Sequence, residues 1–203
     1  MILALGCVRI KESKRHQKEQ EENIRKDLRI KVRNATERDG DMSEILANDL
    51  RAQYKKTFST IRGIVEVFPE DRWREPHGNV YYIPCRIAYH LAVVIDSQIA
   101  GGFRDKDFTA KLPYGKWIEA KAENLPDRNE FLAYFDGVLD RAEKILAILN
   151  NDGLMSPIEP ERTWVGASQM GLHLYMMREL SDHTGELNKM LIEDGVQDVW
   201  ISK

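Results

Sequence analysis

Apolar residues recur at steps of three and four along four stretches of this 203-residue chain, with polar residues between them. That period places the apolar side chains on one face of a helix, so the pattern predicts four amphipathic helices. They run from Ser43 to Phe68, from Pro84 to Gly101, from Asp127 onward, and from Ser168 to Asp194. Their apolar stripes are, in chain order, Ile45, Leu46, Leu50, Tyr54, Phe58, Ile61 and Val65; Ile83, Ile87, His90, Leu91 and Val94; Phe131, Phe135, Val138, Ala142, Ile145 and Leu149; and Leu172, Met176, Glu179 with Leu180, His183, Leu187 and Met190.

Each predicted helix has a recognisable beginning or end. Pro69 ends the first helix, Pro84 suits the first turn of the second, and the glycines at 101–102 stop it. Asp127 and Glu130 have the spacing of a capping box at the start of the third, with Asp in place of Ser or Thr. Four such helices without a convincing strand pattern predict an all-α fold, a four-helix bundle.

The connection between the second and third helices is long. It covers residues 103–126 and carries Pro113-Tyr-Gly near its middle. A connection of this length can cross a bundle from end to end, so the second and third helices are free to run parallel.

The N-terminal part of the chain differs from the rest. Residues 11–41 are dense in charges of both signs and poor in large apolar residues, which predicts disorder or a loosely attached helix. We therefore expect a charged extension, residues 1–41, followed by the bundle, residues 42–203. Because Met42 opens the first amphipathic segment, we hypothesise that translation starts there. Mass spectrometry of the native N-terminus tests this, and a native peptide from residues 1–41 would contradict it.

Composition and charge exclude several classes of protein. No apolar run approaches the roughly 18 residues of a membrane-spanning helix, and the opening MILALGCVRI lacks the cleavage site of a signal peptide. Cys7 and Cys85 form neither a disulfide framework nor a zinc knuckle, which predicts a reducing cytoplasm. A net charge of -3, with 19 Lys and Arg against 25 Asp and Glu from Met42 onward, argues against nucleic acid or membrane partners despite the basic stretch Arg25–Arg38.

Three polar residues interrupt the apolar stripes. His90 lies on the stripe of the second helix, while Glu179 and His183 lie four residues apart on that of the fourth. A four-residue step brings side chains together on one helical face, and buried polar groups need a partner. One divalent metal ion would satisfy all three, since two imidazoles and a carboxylate bind zinc with an open fourth position. The same set suits non-haem iron, so ligand type leaves the metal open.

A metal-free interpretation stays open for each of the three. His90 alone is more often a core histidine that is hydrogen-bonded to a neighbour. Glu179 could pair with Arg178 or with an arginine on another helix, and His183 could be half-exposed.

The remaining candidates are weaker. His173 lies about 80° from His183 around the helix, so it lines a pocket or faces solvent. His77 could reach the mouth of a site from its loop, and His16 is expected to be solvated. Cys85 does not share the ligand face of His90 and is expected in the core or at its boundary. The candidate pocket-wall residues, each of which packing or solvation would also explain, are Tyr89, Trp164, Tyr175 and Arg178.

At these residues the chain resembles the DinB/YfiT superfamily of metal-dependent bundle proteins. The matching segments are ILANDLRAQY, the Ile-x-x-His that ends at His90, and the run His183-Thr-Gly185-Glu-Leu187, within Met42 to Gly195. The resemblance implies an up-down-down-up bundle with a metal held by three side chains, often three histidines. Glu179 departs from that pattern and is similar to the glutamate of the mycothiol-dependent maleylpyruvate isomerase branch.

The expected function follows from the site and the resemblance together. We expect a metal-dependent transferase or hydrolase, in which a metal-bound thiolate or water attacks a small electrophilic molecule. The expected cofactors are a divalent metal, zinc first and nickel or iron as alternatives, and a low-molecular-weight thiol. The alternative is a non-catalytic bundle, an interaction or stress-associated protein without metal. A homodimer is a further expectation, because such bundles pair through an exposed helix face.

Overall fold

The computed structural model describes residues 44–197, and helices dominate them. In chain order these are α1 (Ile45–Val67), α2 (Pro84–Val94), α3 (Arg128–Ala147), the short α4 (Asn151–Met155) and α5 (Gln169–Glu193). No strand occurs within this range, where Pro157 and Ser168 form an isolated β-bridge. The predictions of an all-α protein and of four main helices that pack together are therefore confirmed, while the up-down-down-up order stays a prediction.

Almost all described residues belong to one compact unit, which begins at Leu46. The predicted extension, residues 1–41, and its boundary lie outside the described residues and stay predictions. Within residues 44–197, no helix has the length and apolar character that a membrane crossing requires.

The core follows the predicted stripes except at three positions: Ile45, at the start of α1, is exposed, and two further positions are displaced by one residue. Ala47 is buried where Leu46 was expected, and Leu146 is buried where Ile145 was expected. Leu46 and Ala47 stand four and three positions before the buried Leu50. Ile145 and Leu146 stand three and four positions after the buried Ala142. Both steps fit one helical face, so the sequence period alone does not choose between them.

Helix α2 is buried on every side rather than along one stripe. Every residue from Pro84 to Val93 is buried, including the charged Arg86. A helix that packs against partners all round is typical of the centre of a domain. Cys85 is fully buried, as expected of a core residue.

The long connection covers α2 and is tied to it by hydrogen bonds. The guanidinium of Arg86 donates to the carbonyls of Trp117, Ile118 and Ala120 at 2.9, 3.1 and 2.7 Å. Paired in this way, a buried arginine avoids the cost of an unsatisfied charge. These bonds place the indole of Trp117 beside the middle of α2.

The predicted signals at the helix ends are present in the structure. Asp127 accepts a hydrogen bond from the backbone N–H of Glu130 and its own N–H donates to the Glu130 carboxylate, which completes the capping box of α3. Helix α5 starts after Ser168 and is followed by Gly195, whose φ of +82° is the left-handed conformation that favours glycine.

Candidate metal centre

The structure brings His90, Glu179 and His183 together between α2 and α5. Nε2 of His90 lies 3.1 Å from Oε1 of Glu179, and Nε2 of His183 lies 3.4 Å from the same oxygen. One ligand atom from each of the three residues can be chosen so that all lie within 4.8 Å of one another. The prediction that these side chains converge is therefore confirmed.

Each side chain reaches this point for a simple reason. Glu179 and His183 stand one helical turn apart on α5, so they share a face. His90 comes from the centre of α2, which packs against α5. His90 is buried, while the side chains of Glu179 and His183 keep 22 and 24% of their exposure. The group is therefore closed on the α2 side and open to small molecules on the other.

The spacing of the donor atoms fits a metal ion. Zinc binds imidazole nitrogen and carboxylate oxygen at about 2.0–2.1 Å, so two ligands of a tetrahedral ion stand about 3.3 Å apart. The two distances to Glu179, 3.1 and 3.4 Å, bracket that value. Each histidine therefore stands at a distance from Glu179 that suits ligands of one ion, and all three donor atoms lie within 4.8 Å of one another.

Two further residues hold the histidines in place. Nδ1 of His183 lies 2.6 Å from the Glu186 carboxylate, so an Nδ1–H there donates to Glu186 and leaves the Nε2 lone pair towards Glu179. The ring of Trp117 packs on that of His90 with centroids 4.2 Å apart. Sequence reasoning missed both. Glu186 could have been found from its three-residue step, whereas Trp117 arrives from the distant connection.

The protonation of the site suits a metal ligand set. Burial and the neighbouring His183 lower the pKa of His90, against the opposing effect of Glu179, so the imidazole is neutral at pH 7. Burial raises the pKa of Glu179, but the hydrogen bond with His90 and the electrostatic interactions with the two histidines outweigh it and leave that pKa below its usual value. Neutral imidazole and ionised carboxylate are the forms that bind metal.

One atom at the site lacks a partner. Nδ1 of His90 is buried and has no hydrogen-bond partner among residues 44–197. A metal-bound histidine usually donates its second ring N–H to a neighbour, as His183 does to Glu186. The two histidines are therefore held differently, one by a carboxylate and the other by ring packing.

The other histidines lie away from this group. His173 is buried, and its Nδ1 is 2.9 Å from the hydroxyl of Tyr54, so it is a packing residue rather than one that faces solvent. His77 was expected near the mouth of the site. It lies instead against Glu193 and Asp194 at the far end of α5, about 20 Å along the helix from Glu179. His16 lies outside the described residues.

Three of the four suggested pocket-wall residues do line one cavity. It measures about 350 Å³ and its walls include Trp164, Tyr175 and Arg178. For Tyr89 the packing explanation holds instead, because it is a buried core residue whose hydroxyl donates to the carbonyl of Gly115. Among the described contacts Glu179 pairs with the two histidines rather than with Arg178, whose guanidinium lies 5.2 Å from the ring of Tyr175.

Comparison with known proteins adds no family assignment. No family model, curated protein or solved structure matches the chain significantly. The resemblance to the DinB/YfiT superfamily therefore stays a prediction that rests on short motifs. The arguments for function come from the geometry of the site.

Proposed function

We propose that His90, Glu179 and His183 hold one divalent metal ion and that the protein is a metal-dependent enzyme of the DinB/YfiT type. The observation that carries this proposal is the convergence of three donor atoms from two helices within 4.8 Å. Zinc is the first candidate, because two imidazoles and one carboxylate leave it an open position. Nickel and iron are alternatives, since nitrogen and oxygen ligands suit them too.

The proposed reaction is transfer or hydrolysis on a small electrophilic molecule. When bound, a divalent ion supplies Lewis-acid chemistry that activates a small thiol or a water molecule as nucleophile. The protein's residues position the ligand set: Glu186 holds the Nδ1 proton of His183, and the ring of Trp117 packs on that of His90. Glu179 and His183 are partly exposed, which leaves one side of the group accessible to a substrate.

The cysteines favour an external thiol over one from the described chain. Cys85 is fully buried, and burial raises the pKa of its thiol to about 12. A thiol with so high a pKa is almost entirely protonated at pH 7 and is a poor nucleophile. Among residues 44–197 it is the sole cysteine, so a thiol-dependent reaction would draw on a low-molecular-weight thiol.

A second candidate, a metal-free interaction or stress-associated bundle, is favoured by the hydrogen bonds in the same group. His90 can donate from Nε2 to Glu179, and His183 can donate from Nδ1 to Glu186. These bonds satisfy much of the polar group without an ion. Metal content separates the two candidates.

The deciding measurement is metal content by plasma mass spectrometry on untagged protein. We expect close to one divalent ion per chain, lost in both His90→Ala and His183→Ala, because each variant removes one of only three ligands. His77→Gln is the matched control, since it removes an imidazole that lies at the far end of α5. It is expected to keep the ion.

Protein without metal after incubation with zinc, nickel and iron(II) would contradict the proposal. The metal-free candidate also predicts that a chelator leaves thermal stability unchanged. A metal ion that binds only the folded protein stabilises it by about 2.7 kcal/mol when the free metal concentration is a hundred times Kd. A metal-dependent rise in Tm is therefore a second readout. Circular dichroism of each variant establishes that it is folded.

A further inference from the structure

A cavity between α5 and the segment before it has a lining unlike the core around it. Its volume is about 350 Å³. It is lined by Trp164, Val165, Gly171, Leu174, Tyr175 and Arg178. We propose that this cavity binds a small molecule with a planar apolar body and one carboxylate, and that it presents this molecule to the triad as substrate. The role as substrate rests on the proposed function, whereas the binding itself does not.

Tyr175 joins the cavity to the triad. Tyr175 precedes Glu179 by one turn of α5, so the two side chains lie on the same face of the helix. Arg178, the next residue before Glu179, is also part of the lining. The cavity therefore lies along the stretch of α5 that leads to Glu179.

The charged end of the proposed ligand is set by Arg178. Its guanidinium is exposed, and its described contact is with the ring of Tyr175 rather than with a carboxylate. A guanidinium that is stacked on an aromatic ring keeps its N–H donors for a planar oxyanion, which it binds through two parallel hydrogen bonds. Arg178 is the only basic residue of the lining, so a single carboxylate suits the cavity better than a phosphate dianion.

The apolar end is set by Trp164 and Leu174. They retain 65 and 62% of their exposure, although both are large apolar residues on a cavity wall. The ring of Trp164 is nearly perpendicular to that of Tyr175, with centroids 4.9 Å apart, and its exposed surface is available for stacking. Exposed apolar surface in a concave site beside a cation is typical of a ligand pocket.

The wall that carries Trp164 is held rigidly. It is the 3₁₀ turn Pro160–Val165, in which the buried Arg162 lies 3.8 Å over the ring of Phe103 and donates to Gln98 at 3.0 Å. A pocket whose wall is held in place before binding loses less entropy when the ligand enters.

Two glycines let this wall approach α5. A Cβ on Gly171 would lie 3.1 Å from the Cα of Gly166 and 3.1 Å from the carbonyl oxygen of Val165. Any side chain at Gly171 would push the wall away from the helix and change the shape of the cavity. The close approach, and with it the distance between Trp164 and Tyr175, depends on glycine at this position.

The test is binding of 2-naphthoate to the full-length, chelator-treated protein, followed by NMR titration. Metal-free protein prevents the carboxylate from binding a metal instead of Arg178. We expect 2-naphthoate to bind more tightly than 2-naphthamide, which lacks the charge, and than acetate, which lacks the ring. Arg178→Gln is expected to lower the affinity for 2-naphthoate about tenfold, because it removes the charge-assisted hydrogen bonds to the carboxylate. Trp164→Ala is expected to lower the affinities for 2-naphthoate and 2-naphthamide by similar factors, because both lose the same ring contact.

Lys189→Gln is the matched control, because it removes one positive charge from an exposed residue of the same helix outside the cavity. It is expected to leave binding unchanged. Equal affinity for acid and amide, or equal affinity of Arg178→Gln and the unaltered protein, would overturn the proposal. Arg178-dependent binding in a protein that takes up no metal would support the pocket while the proposed function fails. Metal uptake without naphthoate binding would refute the pocket alone.

Discussion

At the scale of single residues, Glu186 determines how His183 can act. Its carboxylate lies 2.6 Å from Nδ1 of the imidazole. A proton held there leaves Nε2 with a lone pair, and Nε2 is the atom that faces Glu179. Without this partner the ring would be free to adopt the other tautomer or to rotate. One carboxylate outside the triad therefore prepares the ligand that the triad needs.

Replacing Glu186 tests this preparation. Glu186→Ala is expected to weaken zinc binding by about 10- to 100-fold, the usual effect of losing a carboxylate behind a metal-bound histidine. Glu186→Gln, whose amide oxygen still accepts from Nδ1–H, is expected to lose less. The measurement is competition against a chromogenic chelator, with Glu143→Ala, an exposed residue on α3, as control. Equal zinc affinity in Glu186→Ala and in the unaltered protein would show that His183 needs no such support.

At the scale of secondary structure, the helices differ in what stabilises them. Helix α3 has a complete capping box. Ser168, the residue before α5, makes no side-chain cap. The first residue of α5 is instead joined to the preceding segment, by the hydrogen bond of 3.0 Å from the Gln169 N–H to the Ser156 carbonyl. Local signals therefore define the start of α3. Tertiary contacts define that of α5, the helix that carries two of the three candidate ligands.

The contribution of the α3 capping box to stability can be tested by substitution. Asp127→Ala removes the acceptor for the Glu130 N–H, which lies at 2.8 Å, and is expected to lower the free energy of unfolding by about 1 kcal/mol. Asp140→Ala, an exposed acidic residue within the same helix, is expected to change it by less than about 0.5 kcal/mol. Urea unfolding measures both. Equal effects of the two substitutions would show that the box does not stabilise α3.

At the scale of the whole molecule, α5 is held in place by polar contacts within the core. His173 on α5 is buried against Tyr54 of α1, with Nδ1 and the hydroxyl 2.9 Å apart. Burial, with a smaller effect of the charge on Arg162, lowers the pKa of His173 to about 4. The folded protein therefore keeps this imidazole neutral at a pH where the unfolded chain, with a pKa of about 6.5, is already protonated.

This difference predicts how stability depends on pH. Between pH 4 and 6.5 the unfolded state binds the additional proton, so stability from this group is complete above pH 6.5 and falls as the pH drops towards 4. The full loss amounts to about 3 kcal/mol. His173→Gln, which keeps an acceptor for Tyr54, should show a flatter dependence in urea unfolding at pH 4.5 and 7. NMR titration of His173 with a midpoint near 6.5 in the folded protein would contradict the prediction.

Much of the fold and part of the site could be predicted locally. The helices, the capping box at Asp127 and the glycine after α5 all follow from spacings of a few residues, because helical geometry repeats every 3.6 residues. The same geometry placed Glu179 beside His183. Helical geometry could not choose Leu146 over Ile145, since steps of three and four fit one face equally well. Nor does the sequence show where a loop residue points: His77, which could have reached the mouth of a site, lies against Asp194 instead.

The sequence by itself determined the four main helices and the candidate ligand pair on α5, because each depends on neighbours within one or two turns. Only the tertiary structure decided that His90, 89 residues before Glu179, meets that pair and that Trp117 packs on His90. It also decided that Trp164 and Arg178 line one cavity. The physical reason is that these contacts depend on how helices pack and on where buried groups such as Arg86 find partners. No local period along the chain encodes that packing.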